Sequence, residues 1–177
     1  DYIFCELKDK YGIYDVFNPS FCILDNIIYI TLRGFSDKSN HNQSWLVKIT
    51  NGKVSEVLNL SILLYNLIYD KVADPKVFVA NGKVFLTFNT GWSETYNKIY
   101  LCEINNGIKS IFECKFRSRQ RIEKNWAFFF KGGGIFALYS LSKFVILEGK
   151  YDYLNKVINF DVVIHEINYK AFAGLTI

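Results

Sequence analysis

The chain contains no methionine, only two prolines and two histidines, and four cysteines without a CxxC spacing. Each scarcity removes a class of function. His41 and His165 have neither an i,i+4 partner nor a cysteine neighbour, so no metal motif is present and no metal site is expected. Cys5, Cys22, Cys102 and Cys114 are read as four buried thiols in a reducing, cytoplasmic type of compartment rather than as disulfides. No apolar run is long enough to span a bilayer: the longest, Leu60 to Tyr69, is broken by Ser61 and Asn66, so no membrane contact is expected. A basic-then-apolar leader is also missing, and with a start at Asp1 and no methionine the natural N-terminus is expected to lie outside this sequence. Gly-x-Ser-x-Gly, P-loop and dinucleotide fingerprints are absent, and no cofactor is implied.

Charge is equally uninformative of a polyanionic partner. The formal net charge is +4, and the one basic cluster, Lys115, Arg117, Arg119, Arg121 and Lys124, comes without a nucleic-acid motif, so nucleic acid is not expected.

What the chain does have is apolar and aromatic material: half of it is hydrophobic and 18% is Phe, Tyr or Trp, a composition suited to packed β-strands. It also repeats itself. Asn18-Pro19-Ser20-Phe21, Asp74-Pro75-Lys76-Val77 and Asn125-Trp126-Ala127-Phe128 each open a similar pair of strands. The first pair turns at Asp25-Asn26 and ends in Tyr29-Ile30-Thr31-Leu32-Arg33. The second turns at Asn81-Gly82 and ends in Phe85-Leu86-Thr87-Phe88-Asn89. The third turns at Gly132-Gly133-Gly134 and ends in Phe136-Ala137-Leu138-Tyr139-Ser140. The phrase starts at 18, 74 and 125 are 56 and 51 residues apart, a spacing that signals a repeat array. A second hairpin follows each first one: Trp45 to Leu58 around Asn51-Gly52, Lys98 to Phe116 around Asn105-Asn106-Gly107, and Phe144 to Val163 with a turn placed near Gly149.

Four strands per unit make a propeller blade. The expected fold is therefore all-β, a propeller of four-stranded blades with about three present, in repeat units 18–73, 74–124 and 125–171 of one incomplete domain. A fourth blade is expected to begin at Phe172 to Ile177, with the remaining blades supplied by further sequence or by another chain. Three segments between strands are read as loops over a binding face: Phe35 to Ser44, polar and turn-like; Asn59 to Val72, with one helical turn; and Thr90 to Asn97, which carries Gly91, Trp92 and Tyr96.

In a propeller the starts of the inner strands gather at one channel mouth, which would bring Asn18, Asp74 and Asn125 together. Asp74 is the titratable member, a candidate general acid or base; as a plain structural residue it would be a turn or capping aspartate before an extended X-Pro unit. Glu123 would provide a second carboxylate, as glycosidic chemistry requires, or else sit solvated on a loop. Arg33, Lys76, Lys124 and Asn125 would orient hydroxyls, carboxylates or phosphate, or else decorate a charged rim. Trp92 and Trp126 are candidates to stack on sugar rings; Trp92 is the better one, while Trp126, which replaces the proline of the opening phrase, reads first as core.

Ala73-Asp74-Pro75-Lys76-Val77-Phe78 followed by Asn81-Gly82-Lys83-Val84-Phe85-Leu86 resembles the Glu-Asp-Pro-Arg and "dGkyyl" signature of five-bladed glycoside-active propellers, in particular the β-mannoside phosphorylase and hydrolase group. Glu123-Lys124-Asn125-Trp126 is similar to that group's Glu-Lys-Asn-Trp phrase, and Asn18-Pro19-Ser20 through Arg33 to its first-blade opening. Here Ala73 stands for Glu, Lys76 for Arg, and Ala127-Phe128 for a residue followed by Pro. The resemblance implies that Asp74 donates a proton and that Arg33, Lys76, Lys124 and Asn125 contact sugar or phosphate. The partners it implies are an oligosaccharide or glycoside, with phosphate as a further ligand. Two other functions fit the same residues: a non-catalytic propeller binding glycan or protein, and a glycosyltransferase of this fold.

Overall fold

The computed structural model describes residues 2–105 and 107–165. Among the described residues, apart from two helices, the chain is all-β, in four-stranded antiparallel meanders of the kind that make propeller blades. It divides into two compact units, one comprising 1–113 with Gln120–Lys124, the other Cys114–Arg119 with the residues from Asn125 onward.

The first unit opens with helix α1 (Tyr2–Tyr11), followed by β1 (Ile13–Leu24), β2 (Ile27–Ser36), β3 (Ser39–Thr50) and β4 (Lys53–Asn59), which pair in that order. Alternation along the strands sorts the side chains of this sheet onto two faces. Ile28, Ile30 and Leu32 of β2, with Trp45, Val47 and Ile49 of β3, form one core under α1, which contributes Ile3 and Leu7 one turn apart. An ion pair from Lys10 to Glu6 at 2.7 Å supports the helix, and Gly12 at φ +64 ends it by donating its N–H to the Lys8 carbonyl. Nothing in the sequence reading anticipated α1.

The opposite face carries Tyr29, Thr31 and Arg33 of β2, and Ser44 and Leu46 of β3. It meets helix α2 (Leu60–Ile68) and the strands β5 (Ala73–Ala80), β6 (Lys83–Asn89) and β7 (Ile99–Ile104), which continue to β8 (Ile108–Phe116). Leu46, Leu60, Leu64, Val77, Leu86 and Cys102 form the core between these layers. Hydroxyls from three successive strands join it to the second meander: Ser44 donates to the Val72 carbonyl (2.9 Å), Thr31 to that of Pro75 (2.8 Å) and Ser20 to that of Val77 (3.4 Å). In return the Val77 N–H donates to Ser20 Oγ at 3.2 Å. Neither Thr31 nor Ser44 is exposed, so each bond satisfies a carbonyl that water cannot reach.

The segment Asn59 to Val72 holds nine helical residues rather than one turn. Asn59 caps α2 by accepting from the Ile62 N–H at 3.0 Å, and Tyr69 closes it in the left-handed region at φ +54. Nor is Phe35 to Ser44 an open loop: β2 and β3 pair through Arg33↔Ser44, Gly34↔Gln43 and Ser36↔Ser39, leaving only a tight turn.

The second unit contains β9 (Ala127–Lys131), β10 (Gly134–Ser140), β11 (Val145–Asp152) and β12 (Val157–His165), again a meander. The third hairpin turn falls at 153–156 and not at Gly149. Gly149 lies within β11, where a Cβ would come within 2.7 Å of Ile158 Cγ2 and 2.8 Å of Phe160 Cε1; the glycine marks close packing, not a turn. Trp126 is 3% exposed among the rings of Phe116, Phe128, Tyr139 and Phe160, at centroid distances of 5.5 to 6.4 Å. The expected fourth-blade start at Phe172 to Ile177 lies outside the described residues.

Candidate active site

The repeated opening phrase has a structural cause that its sequence does not announce. Asn18, Asp74 and Asn125 all adopt positive φ, at +50, +48 and +62. Asn and Asp tolerate the left-handed region better than other non-glycine residues, because a short polar side chain bonds locally. Asn18 falls at a register shift between Phe17 and Ser20 of β1, and Asp74 at one between Ala73 and Lys76 of β5. The prolines that follow, lacking an N–H, suit a place where the ladder is interrupted. A residue before proline is ordinarily extended; at Asn18 and Asp74 the chain instead kinks into the left-handed region.

At Asp74 the kink brings three hydrogen-bond donors and a nearby ammonium to one carboxylate. Oδ1 accepts from Asn18 Nδ2 at 3.0 Å and from Arg33 Nη1 at 3.2 Å. Oδ2 accepts from Asn89 Nδ2 at 3.4 Å, and Lys124 Nζ stands 3.8 Å from it. The Asp74 side chain is only 13% exposed. Burial pushes its carboxyl upward, but the hydrogen bonds from Asn18 and Asn89 and the adjacent Arg33 guanidinium outweigh this and hold it below its ordinary value. The group is therefore ionised at neutral pH. An ionised carboxylate can accept a proton or balance positive charge; the proton-donor role that the resemblance implies would require it to be protonated first.

Arg33 reaches this position because β2 alternation puts Tyr29, Thr31 and Arg33 on the face toward β5. Its Nη2 donates to Asn42 Oδ1, its guanidinium lies 5.1 Å from the Phe17 ring, and its Nε is shielded from solvent without a partner among the described residues. Lys124 is brought in by another route. Buried Asn97 clamps the backbone of Glu123 in both directions, donating to its carbonyl at 2.7 Å and accepting from its N–H at 2.9 Å. The loop between Asn89 and Asn97 is cinched at its base by Thr90 and Lys98, and it exposes Trp92 and Tyr96.

Glu123 is neither solvated nor presented as a second free carboxylate. It is 5% exposed and its Oε1 accepts from the Gln120 N–H at 2.5 Å, shaping the segment that carries Lys124. Lys76 is half-buried on β5 opposite Thr87. Asn125 is exposed, and Trp126, buried in the aromatic core, offers no platform to a ligand; both belong to the second unit. Of the cysteines, Cys5 is exposed and Cys22 half-buried with its thiol pushed up to about 11 by burial, while Cys102 and Cys114 are buried; the expectation of four buried thiols fails at the first two.

Asn42 and Asn89 were missed. For Asn89 a signal existed: it occupies the same repeat position as Arg33, a polar residue closing an apolar strand, and both reach Asp74.

The sequence matches no protein-family model and no curated protein. Among solved structures, the chain is similar to the GH43_1 enzyme from Xanthomonas citri complexed with xylose, at 12% identity and a TM-score of 0.47, over 84% of this chain and 55% of that one. It is similar also to the catalytic domain of the GH62 alpha-L-arabinofuranosidase from Coprinopsis cinerea, at 12% identity and a TM-score of 0.47, over 89% and 53%. The chain thus spans about half the length of each.

Proposed function

We propose that this chain is a carbohydrate-active domain acting on glycosidic bonds, with Asp74 as its reactive carboxylate and the propeller of the five-bladed type. The observation that carries the reading is the convergence of Asn18, Arg33, Asn89 and Lys124 on one largely buried, ionised carboxylate. Such a group suits the base or charge-stabilising member of a carboxylate pair, since positive charge develops on the sugar ring as the glycosidic bond breaks. Exposed Trp92 and Tyr96, on the loop leading from Asn89, suit the apolar face of a sugar ring. Phosphorolysis, the finer reading from the phrase resemblance, would use Arg33 and Lys124 for phosphate.

The test is Asp74→Asn, which keeps the shape and removes the charge. Turnover should fall by about 100-fold or more, while circular dichroism and sugar binding stay unchanged. Assays run in parallel with water, phosphate and an activated sugar donor separate hydrolysis, phosphorolysis and transfer. Wild-type turnover in the variant rejects Asp74.

A glycan-binding domain without turnover is the second reading, favoured by the donors that already engage both Asp74 oxygens. Sugar binding without cleavage or transfer under any of the three conditions would establish it.

A further inference from the structure

The groups around Asp74 do not balance. Asp74 contributes one negative charge, whereas Arg33 and Lys124 bring two positive ones to the same place. Donors are also in excess. Arg33 Nε has no partner among the described residues, although both Nη atoms are engaged. Lys124 Nζ, at 3.8 Å from Asp74 Oδ2, is beyond hydrogen-bond length, and its side chain is half exposed. Its ammonium therefore keeps all three protons for another acceptor, and no other described residue supplies one. Exposed Asn18 and Asn42 border these cations, each through a side-chain bond to the Asp74 and Arg33 pair.

A neutral sugar presents hydroxyls, which can accept from these donors but leave the surplus positive charge unmatched. The unmatched feature is an acceptor-only, negatively charged group. We propose that the ligand of this site is an acidic glycan, a sugar unit bearing a carboxylate of the uronic-acid class, whose charge is met by Lys124 with Arg33 behind it. The proposal rests on the carbohydrate reading above and narrows its substrate class. A carboxylate suits this surplus because it only accepts and meets the half-exposed Lys124 ammonium as a point charge, with the Arg33 guanidinium adding to the local positive field.

The test uses the full 177-residue chain and oligosaccharides from alginate, pectin and hyaluronan, each also after chemical reduction of its carboxyl groups to alcohols. Calorimetric titration should give at least one native acidic pool binding about tenfold or more tighter than its reduced counterpart, with the preference shrinking at high salt. Lys124→Gln should remove most of that preference by bringing the native pool down toward its reduced counterpart, and Lys124→Arg should restore it. Equal binding of native and reduced pools overturns the acidic-ligand proposal and leaves the carbohydrate reading standing. Binding of neither overturns both. Inorganic phosphate displacing the acidic pool at equimolar concentration also overturns it, since the site would then take any compact anion.

Discussion

Asp74 spends its ionisation energy against burial and recovers it from Asn18, Asn89 and Arg33, which makes its charge a folding matter as well as a chemical one. Its folded carboxyl titrates below the unfolded value, about 3.9 for a free aspartate. The stabilisation is therefore complete above that pH and is lost as pH falls through the folded value. Asp74→Asn cannot titrate, and at neutral pH it leaves Arg33 and Lys124 without their counter-charge. The difference in melting temperature between wild type and Asp74→Asn should be constant near neutrality and should narrow below about pH 4. A difference that stayed flat down to pH 2 would mean that the carboxyl is unperturbed. Other stabilised carboxylates, such as Glu6 beside Lys10, are common to both proteins and cancel. The sequence singled out Asp74, Arg33 and Lys124 through repetition and charge. It did not reveal that the phrase positions are left-handed, because an Asx-Pro pair ordinarily reads as extended and only tertiary contacts fix the alternative. Glu123 shows the same limit: a charged loop residue is buried, its backbone clamped by Asn97, a partner distant in sequence, whereas the core reading of Trp126 holds.

At the level of elements, turn chemistry was the most legible feature. Asn51-Gly52, Asn81-Gly82 and the glycines near 132 each mark a hairpin, since these residues adopt the positive φ such turns need. The same rule misplaced the last hairpin, whose glycine serves packing. Gly149→Ala should therefore destabilise by about 1–3 kcal/mol through overpacking against Ile158, Phe160 and Ile135. By contrast Gly82, whose Cβ position is open, should cost only about 1 kcal/mol through its φ. Urea denaturation of the two variants compares them directly; equal losses would remove the packing explanation. Helix α1 escaped the reading because its short amphipathic stretch gains stability from the sheet it covers, a partner that local pattern does not disclose.

Over the whole molecule, the first unit depends on a polar seam as well as on its apolar core. Thr31, buried and bonded to the Pro75 carbonyl, holds β5 against β2 one residue beyond Asp74. Thr31→Val keeps the shape and strands that carbonyl, so a loss of about 1–3 kcal/mol is expected by denaturant titration. A neutral effect would show that the carbonyl finds another donor. The second unit relies instead on aromatic packing, with Trp126 at its centre. Repetition in the sequence made the four-stranded plan legible, while the division of the chain into two units was not, because it depends on which distant surfaces pack together.

The Val77 amide gives its proton to Ser20 Oγ on β1 rather than to the neighbouring β6. Its hydrogen-exchange rate is therefore a gauge of the gap between the two layers, independent of fraying within either sheet. A ligand at Asp74 that draws β1 and β5 together would slow exchange at this single amide, so occupancy can be read there before any turnover assay exists.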